Sequence, residues 1–103
     1  MAIKVTTQIG TSGGITTEAY IRIGTYLIDK SNNVFRFGLE IYNTESEKNN
    51  KDNVVINRQI GNYVYKKVSS FTSFESTDIF TAGYSELRTH LQSIYGPSST
   101  VDC

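Results

Sequence analysis

Apolar and polar positions alternate through most of this chain. Near its start Ile3, Val5 and Ile9 alternate with Lys4, Thr6 and Gln8, the two-residue period of a half-buried strand, expected to end at Gly10. The following "GTSGG" holds three glycines in five residues, so its backbone reaches positive φ at low cost and turns or stays mobile. From Ile15 the odd positions Ile15, Ala19, Ile21, Ile23 and Leu27 predict one long strand with a single apolar face. Its other parity carries Glu18, Arg22, Tyr20 and Tyr26. "DKSNN" is hairpin chemistry, leading into "VFRFGLEIY", where Phe35, Phe37, Leu39 and Ile41 share one face. That run is expected to be the central strand, with Gly38 marking a bulge or a close approach on its outer face.

"NTESEKNNKDN" is polar throughout and mixes both signs of charge, so it reads as an exposed loop. Between Val54 and Val68 the apolar parity is Val54, Ile56, Ile60, Val64 and Val68. Tyr63 and Tyr65 take the other parity, and Gly61 is a candidate break. "SSFTSFEST" predicts a loop pinned by Phe71 and Phe74. The period then changes. In "DIFTAGYSELRTHLQSIYGP" the residues Leu87, Leu91 and Ile94, preceded by Ala82 and Tyr84, line one helical face that Gly96 and Pro97 terminate. A helix of about 12–15 residues is marginal alone and needs a surface to lie on. The predicted fold is mostly β (α+β), an antiparallel β-sheet or sandwich of five to seven strands with one C-terminal α-helix packed on it. Strands are expected over about 2–80, the helix over about 81–95 and a short tail over 96–103, in a single domain covering 1–103.

Ten Lys and Arg balance ten Asp and Glu in 103 residues, so no long-range field attracts nucleic acid, and copies can approach one another without net repulsion. The single cysteine, Cys103, allows no intrachain disulfide and no cysteine metal site. "MAIKVTTQIG" alternates and holds no long apolar run, so neither a signal peptide nor a membrane span is expected, and synthesis in a cytoplasm is.

Candidate chemistry is sparse. His90 has Glu86 one turn before it and Ser85 nearby, but neighbours on one helix supply no oriented base and nucleophile. A solvated Glu86–His90 pair is the simpler reading. "GTSGG" lacks the lysine and Ser/Thr of a phosphate loop, and "DKSNN" lacks the carboxylates of a calcium loop, so no cofactor, metal or small-molecule substrate is expected. "YVYKK" interleaves Tyr63 and Tyr65 with Lys66 and Lys67, as single-strand nucleic-acid binders do, although zero net charge opposes that use. The aromatic surface is the informative feature. Tyr20, Tyr26, Tyr42, Tyr63 and Tyr65 all fall on the parity opposite the apolar core, which makes them candidate interface residues. Two arrangements fit: the helix covers the Ile/Phe face and the tyrosines point outward, or the helix covers the tyrosines and a second sheet covers the Ile/Phe face.

An N-terminus like "MAIKVTTQIG", the strands "EAYIRIGTYLID" and "VFRFGLEIY", the late "DIFTAGYSELRTHL" helix and the ending "VDC" resemble the short structural proteins of tailed bacteriophages. That resemblance implies a non-enzymatic, β-rich virion subunit of the tail, baseplate, neck or capsid exterior, made in the bacterial host. Its partners would be other virion proteins and copies of itself. No site residue is carried over, because the implied role is assembly. The alternatives are a small OB-like module that binds single-stranded nucleic acid through Tyr63, Tyr65, Lys66 and Lys67, and a host-directed inhibitor.

Overall fold

In a computed structural model residues 2–67 and 79–103 are described. Among the described residues seven strands and one α-helix come in the order β1 (Ile3–Val5), β2 (Ile9–Thr11), β3 (Gly14–Thr16), β4 (Ala19–Asp29), β5 (Val34–Tyr42), β6 (Tyr63–Lys67), α1 (Ile79–Tyr95) and β7 (Thr100–Asp102). Five strands form an antiparallel sheet in the order β6-β5-β4-β1-β7, and β2 with β3 forms a small hairpin. The protein is thus mostly β, a curled antiparallel sheet with a C-terminal helix packed on it.

The sheet is built on the β4–β5 hairpin. Its turn closes where the Asp29 carboxylate accepts hydrogen bonds from Ser31 Oγ and from Asn32 Nδ2, each at 2.9 Å, and Asn33 takes a left-handed φ of 52°. The ladder runs from Tyr20 opposite Tyr42 to Asp29 opposite Val34, with a register shift between Ile23 and Thr25. The extra residue is Gly24, and a β-bulge there reverses the facing parity of everything beyond it. Ile21 and Ile23 face inward opposite Ile41 and Leu39, but past the bulge it is Tyr26 that sits opposite inward-facing Phe37. Leu27 turns outward and is exposed. The single-faced strand expected from Ile15 to Leu27 is therefore corrected in two places. Its beginning folds back as β3, leaving Ile15 71% exposed, and its end changes face at Gly24. The centre of the sheet is β4, with β5 beside it.

Helix α1 lies in the concave side of the sheet. Leu87 and Leu91 are buried among Ile3, Val5, Ile9, Ala19, Ile21, Ile41 and Ile60, while Ile79 at its start packs on Phe35, Phe37 and Val64. Gly83 makes the close approach possible, since a Cβ there would come within 2.8 Å of the Phe37 ring and 2.9 Å of Ile23 Cδ1. Both edges of the sheet reach the same helix: Lys66 of β6 pairs with Glu86 at 3.2 Å, and Asp102 of β7 pairs with Arg88 at 2.6 Å. The edges flank one helix because the sheet curls about it, as strand twist allows. The helix ends as expected, with Gly96 at φ 84° donating its N–H to the Gln92 carbonyl at 2.9 Å and Pro97 next in the chain. The C-terminal segment expected as a tail is instead part of the sheet. Residues Thr100–Asp102 pair with β1 as an edge strand.

Two further expectations change. Val54 and Ile56 are exposed, and the strand expected from Val54 is reduced to Tyr63–Lys67. The intervening chain is held by Asn57, whose side chain donates to the Gly10 carbonyl and accepts the Ile60 N–H, which seats Ile60 in the core. The loop expected around Phe71 and Phe74, and Val68 before it, lie outside the described residues.

Candidate interaction surface

The face of the sheet turned away from α1 divides into two halves at the Gly24 bulge. In the first half Tyr20 lies opposite both Lys4 and Tyr42, and Arg22 lies opposite Glu40. The chain after β5 folds back over this half through short 3-10 turns at Glu45–Asn49 and Lys51–Asn53. Arg22 Nε donates to Glu40 Oε1 at 2.8 Å, and its Nη2 donates to the Tyr42 hydroxyl at 3.2 Å and to the Lys48 carbonyl at 3.0 Å. The Tyr42 hydroxyl in turn donates to Glu40 at 3.1 Å. Lys48 stands 5.3 Å over the Tyr20 ring, and Tyr20, Tyr42 and Ala2 form a buried cluster. Burial pushes the Glu40 carboxyl up, but the hydrogen bonds and charge of Arg22, with the Tyr42 hydroxyl, outweigh it and leave the carboxyl below its ordinary range. Burial, and then Glu40, push the Tyr42 hydroxyl up.

This network is closed. Arg22 and Glu40 satisfy each other, and Tyr42 is 0% exposed. Tyr20 and Tyr42 therefore cannot meet a partner without uncovering this half, which corrects their expected place at an interface. Tyr26 is also displaced from it. The bulge turns it toward the helix, where its ring meets Phe37 edge-on at 5.8 Å and Phe80 at 4.8 Å.

The second half stays open. Tyr63 and Tyr65 are 48% and 54% exposed, with ring centroids 6.3 Å apart. The rows across the sheet read Thr25–Gly38–Tyr63, then Leu27–Arg36–Tyr65, then Asp29–Val34–Lys67. Gly38 has no side chain to separate its neighbours, so Thr25 and the Tyr63 ring close over it, and a Cβ there would lie 3.1 Å from Thr25 Cβ. Arg36 lies 6.0 Å from the Tyr65 ring centroid and 3.4 Å from Asp29. Hydrogen bonds from Asn32 and Ser31 hold the Asp29 carboxyl below its ordinary range. The result is an exposed apolar and aromatic patch, Leu27, Tyr63 and Tyr65, with Arg36 between Leu27 and Tyr65 and with Asp29 and Lys67 in the row at its end.

Of the five tyrosines expected at an interface, the structure brings only Tyr63 and Tyr65 together on exposed surface. It adds Leu27, which the alternation had placed in the core, and Arg36, whose parity already pointed away from the Phe35 and Phe37 face. Gly24, between two β-branched residues in a strand, was the available signal for that change of face.

The remaining candidates separate. His90 Nε2 lies 2.7 Å from the Ile60 carbonyl and Glu86 pairs with Lys66, so the expected Glu86–His90 pair is replaced by two tertiary contacts. Lys66 lies toward the helix side, away from Tyr63, Tyr65 and Lys67, so "YVYKK" does not present both lysines beside its tyrosines. "GTSGG" forms the β2–β3 turn, with Gly14 at φ 114° and the Gly13 carbonyl accepting from Asn43 Nδ2. Among the described residues there is no group of three or more His, Cys, Asp or Glu that could hold a metal ion, and no helix long and apolar enough to cross a membrane. No protein-family model, no curated protein and no solved structure matches this chain.

Proposed function

We propose that this protein is a non-enzymatic virion structural subunit that acts by assembly through the open half of its outer sheet face. The observation that carries the assembly reading is the exposed Tyr63–Tyr65 pair beside Leu27 and Arg36. Tyrosine and arginine are the residue types enriched at protein–protein contacts, and here they stand beside an exposed apolar side chain. The virion context rests on the resemblance of the strand and helix segments to tailed-phage structural proteins.

The test is to follow the chain into particles. Mass spectrometry of purified virions should recover it in several copies, and a Tyr63→Ser/Tyr65→Ser variant that keeps its circular dichroism should be depleted from them. Absence of the wild-type chain from purified particles overturns the virion reading. Undiminished incorporation of the double variant overturns the surface assignment.

One arrangement favours a second reading. Tyr63, Tyr65, Arg36 and Lys67 share a face, which suits base stacking with phosphate contact. Arg36 is already paired with Asp29, and the chain has no net positive charge, so the assembly reading is preferred. Anisotropy of labelled oligonucleotides at low salt decides between them: salt-sensitive binding would favour nucleic acid, and its absence dismisses it.

A further inference from the structure

We infer that the free edge of β6 takes up an extended segment of a partner protein as an added antiparallel strand, with an acidic residue opposite Lys67; this names the kind of partner for the assembly reading above and rests on it. β6 ends the five-stranded sheet, so one of its edges has no neighbouring strand. The Leu39 N–H donates to the Asn62 carbonyl at 2.8 Å, which fixes the phase of the hydrogen-bond alternation between β5 and β6. Asn62, Val64 and Lys66 turn their main-chain groups to β5. Tyr63, Tyr65 and Lys67 turn theirs away from it, and among the described residues nothing pairs with them. Their N–H groups and carbonyls stand in a row with the two-residue repeat of a strand, and another extended main chain is what matches such a row.

The space beside this edge suits one strand. A groove of about 490 Å³ lies between β6 at Tyr63 to Tyr65 and α1 at Glu86, Thr89, His90 and Ser93. Lys66 holds Glu86 at 3.2 Å, and His90 Nε2 lies 2.7 Å from the Ile60 carbonyl, so strand and preceding turn are both tied to the helix and the groove is preformed. Its inner wall is α1, which limits what can enter. Antiparallel pairing of two β6 edges would put both helices on one side of the joined sheet and set α1 against α1. A second copy is therefore disfavoured, and an extended segment that carries no helix on that side fits.

Register then sets the side chains the segment needs. Residues opposite Tyr63, Tyr65 and Lys67 share the outer face with them, and those opposite Val64 and Lys66 point toward α1. Lys66 is already matched by Glu86, whereas Lys67 is exposed and makes no ion pair among the described residues. One positive charge on this edge is thus left for the partner. Followed in its own direction, the added segment is acidic where it meets Lys67 and apolar at the second and fourth residues after that, where it meets Tyr65 and Tyr63.

Selection from a library of random capped peptides, about seven residues long, against the immobilised full chain tests this. Enriched peptides should carry that acidic and apolar pattern. Titrated into isotope-labelled protein, they should slow amide exchange at Tyr63, Tyr65 and Lys67, which exchange freely in the protein alone. Methylating the peptide nitrogen of the residue opposite Tyr65 should weaken binding about tenfold or more, through a lost main-chain bond and a clash with β6, while methylating the next nitrogen, which points away, should change it less than about threefold. Lys67→Ala should weaken binding about threefold. The inference is overturned if no peptide is enriched, if both methylations act alike, or if exchange at the three amides is unchanged. Protection of those amides in the protein alone, growing with concentration, overturns it in favour of a second copy. The virion reading fails separately: a chain missing from purified particles whose edge still binds peptide overturns that reading alone, and a chain present in particles whose edge binds none overturns this inference alone.

Discussion

The two halves of the outer sheet face carry similar chemistry and do opposite things with it. Each has two tyrosines, an arginine and a carboxylate partner: Tyr20, Tyr42, Arg22 and Glu40 on one side of Gly24, Tyr63, Tyr65, Arg36 and Asp29 on the other. In the first, the turns after β5 lie across the sheet. Arg22 reaches the Lys48 carbonyl, and the tyrosines are sealed. In the second, the described chain leaves the tyrosines facing outward. Aromatic content on a strand face is thus no measure of an interface. What decides is whether another part of the same chain has already taken the surface.

The sharpest way to break the comparison is to truncate one tyrosine from each half. Tyr42→Ala removes a fully buried ring and leaves Arg22 and Glu40 short of a partner, so urea denaturation should show a loss of about 3–5 kcal/mol. Tyr65→Ala should cost no more than about 0.5 kcal/mol. Comparable losses from both would show that the second half is core as well.

Next comes the boundary. A Cβ at Gly24 would sit on the Glu40 carboxylate, so Gly24→Ala should cost about 1–2 kcal/mol through displacement of the Arg22–Glu40 pair. Its amide spectrum should change around Arg22, Tyr42 and Lys48 while Tyr63 and Tyr65 stay as they were. Spread of the perturbation to both halves would mean that they are not separate units.

The Glu40 charge gives a smaller, pH-dependent effect. Its folded pKa is depressed, so its contribution is fully present above the unfolded value near 4.5 and is lost as pH falls through the folded one. Glu40→Gln should therefore lower stability by about 1 kcal/mol at neutral pH and leave it unchanged near pH 2. A deficit that persists in acid would assign the loss to packing instead. Tyr42 acts at the other extreme. Its pKa is raised, so the stability of its neutral form is present below about 10 and is lost as pH rises through the folded value.

The smallest stability effect belongs to the open half. Tyr63→Ser/Tyr65→Ser should lower the stability read from urea denaturation by no more than about 0.5 kcal/mol while depleting the protein from assemblies. Unfolding of this variant would show that the tyrosines support the monomer.

How far the sequence carried the fold depends on which physical signal each segment holds. The β4–β5 hairpin was legible because "DKSNN" is turn chemistry between two alternating runs, and α1 because Leu87 and Leu91 repeat at helical spacing before Gly96 and Pro97. The β2–β3 hairpin, the β1–β7 pairing and the facing of Tyr26 and Leu27 were not legible. Strands of three residues hold too little period to read, and β7 exists only because β1 offers it an edge. Tyr26 and Leu27 were misplaced because alternation assumes an unbroken register, and one inserted residue inverts it.

By itself the sequence determined the kinds of element, the Ile and Phe face they bury and the neutral charge that lets copies approach, because these depend on residue type and local period. Tertiary structure alone decided which tyrosines remain open. Burial is a property of what the rest of the chain lays over a surface: the bulge at Gly24 sends Tyr26 under the helix, and the Arg22–Lys48 contact seals Tyr20 and Tyr42. On Tyr63 and Tyr65 nothing among the described residues closes over the rings.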